Sequence, residues 1–232
     1  MNMISAIQSI WDGFDFTYII SILMGLLPAL ICITLHELSH GYVAWRLGDD
    51  TAKNMGRLTL NPLKHLDVMG VLMMMVFHVG WAKPVPINMY KFKNPKRGMA
   101  ISSLAGPACN LLISIVFLFL YGVAFATIGP VGIGSYLLQM LELTAYMSLS
   151  LCIFNLIPIP PLDGSKVLFS LMSDEKYYKL MRYERYGMII MLLLVATGLL
   201  GKPLSAAIGF VYGKLFAVAQ FGCDLIIKLV FM

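Results

Sequence analysis

The hydrophobic pattern of this 232-residue chain consists of long, nearly uninterrupted apolar stretches separated by short polar segments. A helix that crosses the hydrocarbon core of a bilayer needs about 20 mainly apolar residues. On that criterion we predict spanning helices over roughly Phe16–Trp45, Met99–Ile128, Ser135–Ile157, Tyr186–Leu200 and Leu204–Met232, of which Tyr186–Leu200 is short. The last two are separated at Gly201-Lys202-Pro203, because glycine and proline interrupt the apolar pattern there.

Two shorter patterns lie between the first and second predicted spans. Val68–Val79 holds too few apolar residues to cross a bilayer alone, so we interpret it as a re-entrant or interfacial piece, or as a short span in a thinned bilayer. Gly56–Leu60 alternates apolar and polar residues and is followed by Asn61-Pro62, which is typical of a short strand that ends in a turn. The predicted fold is an all-α polytopic membrane protein, with about five to six transmembrane helices and a short membrane-associated β segment, in a single domain over residues 1–232.

The composition agrees with a membrane environment. Hydrophobic residues make up 59% of the chain and charged residues only 12%, whereas soluble domains carry about 25% charged residues. The mean hydropathy is +0.81. The sequence pI of about 9.0 does not require nucleic acid, and we expect no such partner, since basic residues also anchor a protein to anionic lipid head groups.

The basic residues predict how the chain is oriented. Nine of the 17 lysines and arginines fall between residues 46 and 97, and five more fall between residues 166 and 185. Because cytoplasmic loops of membrane proteins carry an excess of lysine and arginine, both segments are predicted to be cytoplasmic. Met1 then begins on the outer side of the cell membrane, provided that Val68–Val79 enters and leaves on one face.

The first predicted span contains the sequence His36-Glu37-Leu38-Ser39-His40. On a helix the two histidines lie one turn apart on the same face. Such a pair can bind zinc, and the glutamate beside it can accept a proton from water at the metal. The alternative is a pair of histidines bonded to neighbouring carbonyls, but ionisable groups inside a membrane are costly and usually functional. We therefore predict a zinc site.

A third ligand is needed, because catalytic zinc sites normally have three protein ligands and one open position. The predicted topology brings the segment 155–164 to the same depth as the histidines. Pro158, Pro160 and Pro161 cannot continue the third helix, and Asp163 is the carboxylate that follows this break. The residues alone leave two roles open for Asp163, a zinc ligand or the N-cap of the next helix.

His36-Glu37-Leu38-Ser39-His40 followed by Asn155-Leu-Ile-Pro-Ile-Pro-Pro-Leu-Asp-Gly164 resembles the site-2 proteases, which are intramembrane zinc metalloproteases. The stretches Gly56–Asn61, Ala82–Pro86 and Ala105–Asn110 are similar to the compact prokaryotic members that lack a PDZ domain. The resemblance implies one zinc ion per chain with the ligands His36, His40 and Asp163, with Glu37 as general base and with Asn155 as a substrate or oxyanion contact.

The resemblance also implies what the protein acts on. Members of this family hydrolyse peptide bonds in transmembrane segments, either in regulated intramembrane proteolysis or in the clearance of signal-peptide remnants. The expected partners are therefore a transmembrane protein or peptide and the lipid bilayer, and no oligomeric state follows. Two other classes predict different patterns: a metal transporter would spread its ligands along a pathway, and an inactive scaffold would lack Glu37 or a ligand. Asn110 and His65 are interpreted as hydrogen-bonding or packing residues.

Overall fold

The computed structural model describes residues 16–77, 81–183 and 186–231. The regular secondary structure of these residues is helical. In chain order they are α1 (Phe16–Arg46), α2 (Thr51–Asn54), α3 (Val68–Phe77), α4 (Pro95–Thr127), α5 (Ile133–Asn155), α6 (Asp163–Ser170), α7 (Asp174–Tyr183), α8 (Gly187–Ala196) and α9 (Gly201–Phe231). Single 3-10 turns form at Pro62–Lys64 and Met89–Lys91.

Four of these helices are long and apolar enough to cross a membrane: α1 from Met24, α4, α5 and α9. The prediction of an all-helical, multi-pass membrane protein is confirmed. Helices α3 and α8 have ten residues each, about 15 Å at 1.5 Å per residue, which is half the thickness of the hydrocarbon core. The predicted total of five to six spans is not confirmed by helix length.

The predicted strand over Gly56–Leu60 is not confirmed either, since a turn and bends occupy these residues. Side chains, and not a neighbouring strand, connect this segment to backbone carbonyls around it. Arg57 Nη2 donates to the Lys83 carbonyl at 2.8 Å, and His65 Nε2 lies 2.9 Å from the Thr59 carbonyl. In the described residues, β pairing is limited to one isolated antiparallel bridge between Leu66 and Ala82.

His65 is fully buried, which agrees with its interpretation as a packing or hydrogen-bonding residue.

Helix α4 is the central element of the bundle, because it packs against α1, α5, α6 and α9. It begins at Pro95, where the side chain of Asn94 accepts a hydrogen bond from the Arg97 N–H at 3.1 Å. Its buried face carries small residues, which let neighbouring helices approach closely. These are Ser102, Ser103, Gly106 and Ser114.

The two basic segments lie at the same end of the bundle. Lys96, at the start of α4, forms an ion pair with Asp174 at 2.9 Å and also donates to the Met172 carbonyl. Lys91 is paired with Asp50, just after α1. The side of the membrane that the two segments face stays a prediction.

Candidate metal centre

His36 and His40 project from one face of α1, as their spacing predicts. Both are buried, with 7% and 6% of their surface exposed. The two rings meet edge to face at 4.5 Å between centroids, and their Nε2 atoms lie 3.0 Å apart. Two imidazole nitrogens at hydrogen-bonding distance, each able to present a lone pair, are arranged to share a cation.

Asp163 reaches the histidines from the other side of the bundle. Its Oδ2 lies 3.3 Å from His36 Nε2 and 3.0 Å from His40 Nε2. The residue in the N-cap position is Leu162, which makes no side-chain cap, and Asp163 is the first residue of α6. The structure therefore places Asp163 at the histidine cluster and not in the alternative role of an N-cap.

The sharp turn between α5 and α6 depends on Gly164. A Cβ atom on this residue would lie 2.7 Å from the Ile157 carbonyl oxygen and closer still to that of Leu156. Only glycine permits this approach, because side-chain carbons are essentially never found below 3.0 Å from another heavy atom. The proline-containing loop is thereby folded against the start of α6, and Asp163 is directed inward.

The three donor atoms fit a zinc ion. They are two imidazole nitrogens and one carboxylate oxygen, all within 4.8 Å of one another and all from buried residues. Ligands at about 2.0–2.1 Å from a tetrahedral zinc lie about 3.3 Å from each other, close to the observed 3.0–3.3 Å. His40 Nδ1 lies 2.7 Å from the Ser102 carbonyl, which can only accept, so Nδ1 carries the proton and Nε2 presents its lone pair to the cluster.

The charge of Asp163 is favoured by a neighbouring cation. Lys166, one turn later on α6, has its Nζ 3.9 Å from Asp163 Oδ1, and a nearby positive charge favours the ionised carboxylate. An ionised carboxylate is the form that binds a metal.

Helix α4 forms the wall behind both histidines. Ser102, Gly106 and Asn110 follow one another at intervals of four residues, so they share a helix face. A Cβ atom at Gly106 would lie 2.6 Å from Cε1 of both His36 and His40. The Asn110 side-chain amide lies 3.1 Å from His36 Nδ1. The helix approaches the rings this closely because position 106 has no side chain.

Glu37 stands beside this donor set without belonging to it. Its carboxylate is half-buried, and Oε2 accepts a hydrogen bond from the Val85 N–H at 2.8 Å. Val85 lies in the non-helical segment Ala82–Pro86, which proline is expected to keep extended. The backbone before α4 therefore holds the glutamate in position.

Asn155 is the last residue of α5 and is half-buried. Its side-chain amide donates to the Leu151 carbonyl of its own helix at 3.0 Å. Its role as a substrate or oxyanion contact stays a prediction.

Sequence reasoning missed the residues that surround the ligands. These are Val85, Ser102, Gly106 and Lys166, with Asn110 understood only as a helix contact. The spacing of Ser102, Gly106 and Asn110 was a usable signal, since it marks one face of a helix. The partner of that face was not visible in the sequence.

Two imidazoles and a carboxylate, buried in a multi-pass helical bundle with a glutamate next to the first histidine, define a membrane-embedded metalloprotease of the zinc-dependent class. Comparison with known proteins agrees. The model for peptidase family M50 matches residues 125–199, which include Asn155 and Asp163.

Three relatives illustrate the similarity. YwhC of Bacillus subtilis is 39% identical over 176 residues, which cover 73% of this chain and 78% of YwhC. Rip2 of Mycolicibacterium smegmatis is 31% identical over 75% of this chain and 66% of its own length. The names of both assign zinc metalloprotease activity provisionally. Zinc metalloprotease MJ0392 of Methanocaldococcus jannaschii is 29% identical over 64% of this chain, but over only 34% of its own length.

No solved structure matches the chain. The match to YwhC nevertheless covers most of both proteins. The chain belongs to peptidase family M50, the site-2 proteases, and is a zinc metalloendopeptidase.

Proposed function

We propose that this protein hydrolyses peptide bonds within transmembrane segments of other membrane proteins, using one zinc ion bound by His36, His40 and Asp163. The observation that carries the proposal is the convergence of three buried donor atoms at 3.0–3.3 Å from one another. Residues 1–232 would form one metalloprotease domain. Its substrates would include membrane-tethered regulators or remnants of signal peptides.

The residues around the cluster divide the chemistry between them. Zinc, when bound, supplies a Lewis acid that polarises the scissile carbonyl and lowers the pKa of water. Glu37 accepts a proton from the attacking water on a carboxylate oxygen and passes it to the leaving amine nitrogen. The hydrogen bond from Val85 N–H to Oε2 fixes the direction of the Glu37 carboxylate for this transfer. Asn155 would stabilise the oxyanion once its amide turns from Leu151 to the substrate.

An apolar groove beside α1 supports a transmembrane substrate. It has a volume of about 290 Å³ and leads along α1 toward the residue that precedes His36. Its lining is Leu27, Leu30, Ile31, Thr34, Leu35, Leu60 and Pro62. A substrate helix has to unwind before cleavage, since its amides are hydrogen-bonded and shielded. A groove lined by aliphatic side chains suits an unwound apolar segment.

We further propose that the site opens toward the cytoplasm and that the first span begins outside the cell membrane. The support is the excess of basic residues in the two segments at the end of the bundle where Lys96 pairs with Asp174. Helix α8 would add a short fifth span to the four long helices, and α3 would be a sixth membrane segment that enters and leaves on the cytoplasmic face. Met1, from which the orientation is counted, lies outside the described residues.

The deciding experiment compares variants of the purified protein in lipid nanodiscs with a model transmembrane substrate. Glu37→Gln is expected to bind zinc as the wild type does and to lose cleavage by at least about 100-fold, the usual effect of removing a general base. Asp163→Ala is expected to lose zinc. Glu142→Gln is the matched control, because Glu142 is a glutamate of a different spanning helix, α5. Wild-type cleavage by Glu37→Gln, or full zinc retention by Asp163→Ala, would defeat the proposal.

A further inference from the structure

Asn110 has a hydrogen-bonding mismatch at the metal centre. Its side chain is completely buried on α4, and its amide nitrogen lies 3.1 Å from His36 Nδ1. Among the described residues, Asn110 Oδ1 has no hydrogen-bond donor. A buried polar atom without a partner costs about 1–3 kcal/mol, so this arrangement requires an explanation.

The mismatch extends to the tautomer of His36. If the Asn110 amide nitrogen donates to Nδ1, then Nδ1 has no proton, and the proton of the neutral ring is on Nε2. That proton would point at His40 Nε2 and Asp163 Oδ2, where a metal needs a lone pair. The two ends of an asparagine amide have nearly the same shape, and their positions are decided by the hydrogen bonds they make.

We propose that Asn110 is a positioning residue that accepts a hydrogen bond from His36 Nδ1–H through Oδ1. This inference rests on the proposed function, since it requires His36 to bind zinc through Nε2. With the amide turned in this way, the unpaired oxygen gains a donor and His36 Nε2 presents its lone pair to Asp163 and His40. Asn110 thus sets both the tautomer and the direction of the ring.

The second histidine supports the assignment. The Ser102 carbonyl accepts from His40 Nδ1 at 2.7 Å, so this ring is already held by an acceptor on α4. Ser102 and Asn110 stand about one turn on either side of Gly106, which has no side chain to keep the rings away. One face of α4 therefore provides an acceptor for each histidine. Metal-bound histidines commonly donate their second N–H to such an acceptor, and its loss typically costs 10–100-fold in metal affinity.

Two substitutions distinguish an acceptor from a donor at position 110. Asn110→Asp keeps an acceptor oxygen and loses the donor, whereas Asn110→Leu has a similar size and keeps neither. Zinc affinity is measured on the purified, folded protein by competition with a chromophoric chelator, and the absorption spectrum of the cobalt-loaded protein reports the ligand geometry. We expect Asn110→Leu to bind zinc 10–100-fold more weakly with an altered cobalt spectrum. Asn110→Asp should retain the wild-type affinity and spectrum.

Ser148→Ala is the matched control. Ser148 Oγ donates to the Asn110 backbone carbonyl at 2.8 Å, so its loss weakens the same helix contact without changing the partner of His36. Its zinc affinity should equal that of the wild type. Equal weakening by Asn110→Asp and Asn110→Leu, or wild-type affinity in Asn110→Leu, would overturn the inference. Failure of the proposed function looks different: the wild type itself would not bind zinc, or His36→Ala would bind it equally well.

Discussion

The backbone N–H of Val85 donates to Glu37 Oε2 at 2.8 Å, across 48 positions of the sequence. The proposed general base is therefore held by a chain segment that contains Pro84 and Pro86 on either side of the donor. Proline fixes its own φ angle and restricts the residue before it, so Pro86 limits the conformations of Val85 and this donor is well positioned before any substrate arrives. A fixed base loses less entropy when it begins to take a proton from water.

Removing this single N–H is expected to slow cleavage without loss of zinc. Val85→Pro removes the donor, and a hydrogen bond to a charged group contributes about 1.5–3 kcal/mol, so we expect a loss of about tenfold or more in kcat. Val85→Ala keeps the N–H and serves as the control for the lost side chain. Both variants are assayed for zinc content and for cleavage of a transmembrane substrate. If Val85→Pro is as active as Val85→Ala, the contact has no role in catalysis.

A methyl group at position 106 is expected to displace the metal ligands. The Cβ atom of Gly106→Ala would lie 2.6 Å from Cε1 of both His36 and His40, and overpacking of this kind costs about 1–3 kcal/mol. Zinc affinity should fall by about tenfold, measured by chelator competition. Gly213→Ala is the control, because its Cβ atom would have no neighbour within 4 Å. Equal zinc affinity in the two variants would mean that α4 does not confine the histidines.

Labelling of single cysteines tests the proposed orientation. Lys93 and Lys202 are both exposed, Lys93 in the segment before α4 and Lys202 at the start of α9. In intact cells, a maleimide that cannot cross membranes should label Lys202→Cys, whereas Lys93→Cys should react only after permeabilisation. The native chain provides the background from its own four cysteines. The opposite labelling pattern would place the metal centre on the outer side.

The apolar groove offers a test of substrate binding. Leu60 lines the groove and is 67% exposed, so a lysine there is tolerated in the free protein but places a charge where an apolar substrate would lie. Losing the burial of one leucine-sized contact costs about 1.5–3 kcal/mol, so kcat/KM for a transmembrane substrate should fall by about tenfold or more in Leu60→Lys.

Leu63→Lys is the matched control for this charge. Leu63 is 73% exposed on the same loop, but it is not among the residues that line the groove. Zinc content should be unchanged in both variants. A similar fall in kcat/KM for the two would show that added charge, and not the groove, is responsible.

Much of the fold could be predicted because its causes are local. The long apolar stretches predict α1, α4, α5 and α9 to within a few residues, since the length of an apolar run is what a bilayer selects. The predicted strand over Gly56–Leu60 was not confirmed, and the reason is tertiary. An alternating apolar and polar pattern forms a strand only if a neighbouring strand pairs with its backbone. Here the side chains of Arg57 and His65 bond to backbone carbonyls, and no neighbouring strand pairs with this segment in the described residues.

The candidate site shows the same division. The sequence by itself determined the helical pairing of His36 with His40 and the break that precedes Asp163, because helix periodicity and proline act over a few residues. Only the tertiary structure brought Asp163 next to the two histidines, and it brought Ser102, Gly106 and Asn110 to the back of the imidazole rings. Contacts between distant segments depend on how helices pack, and a single helix face does not specify its partner.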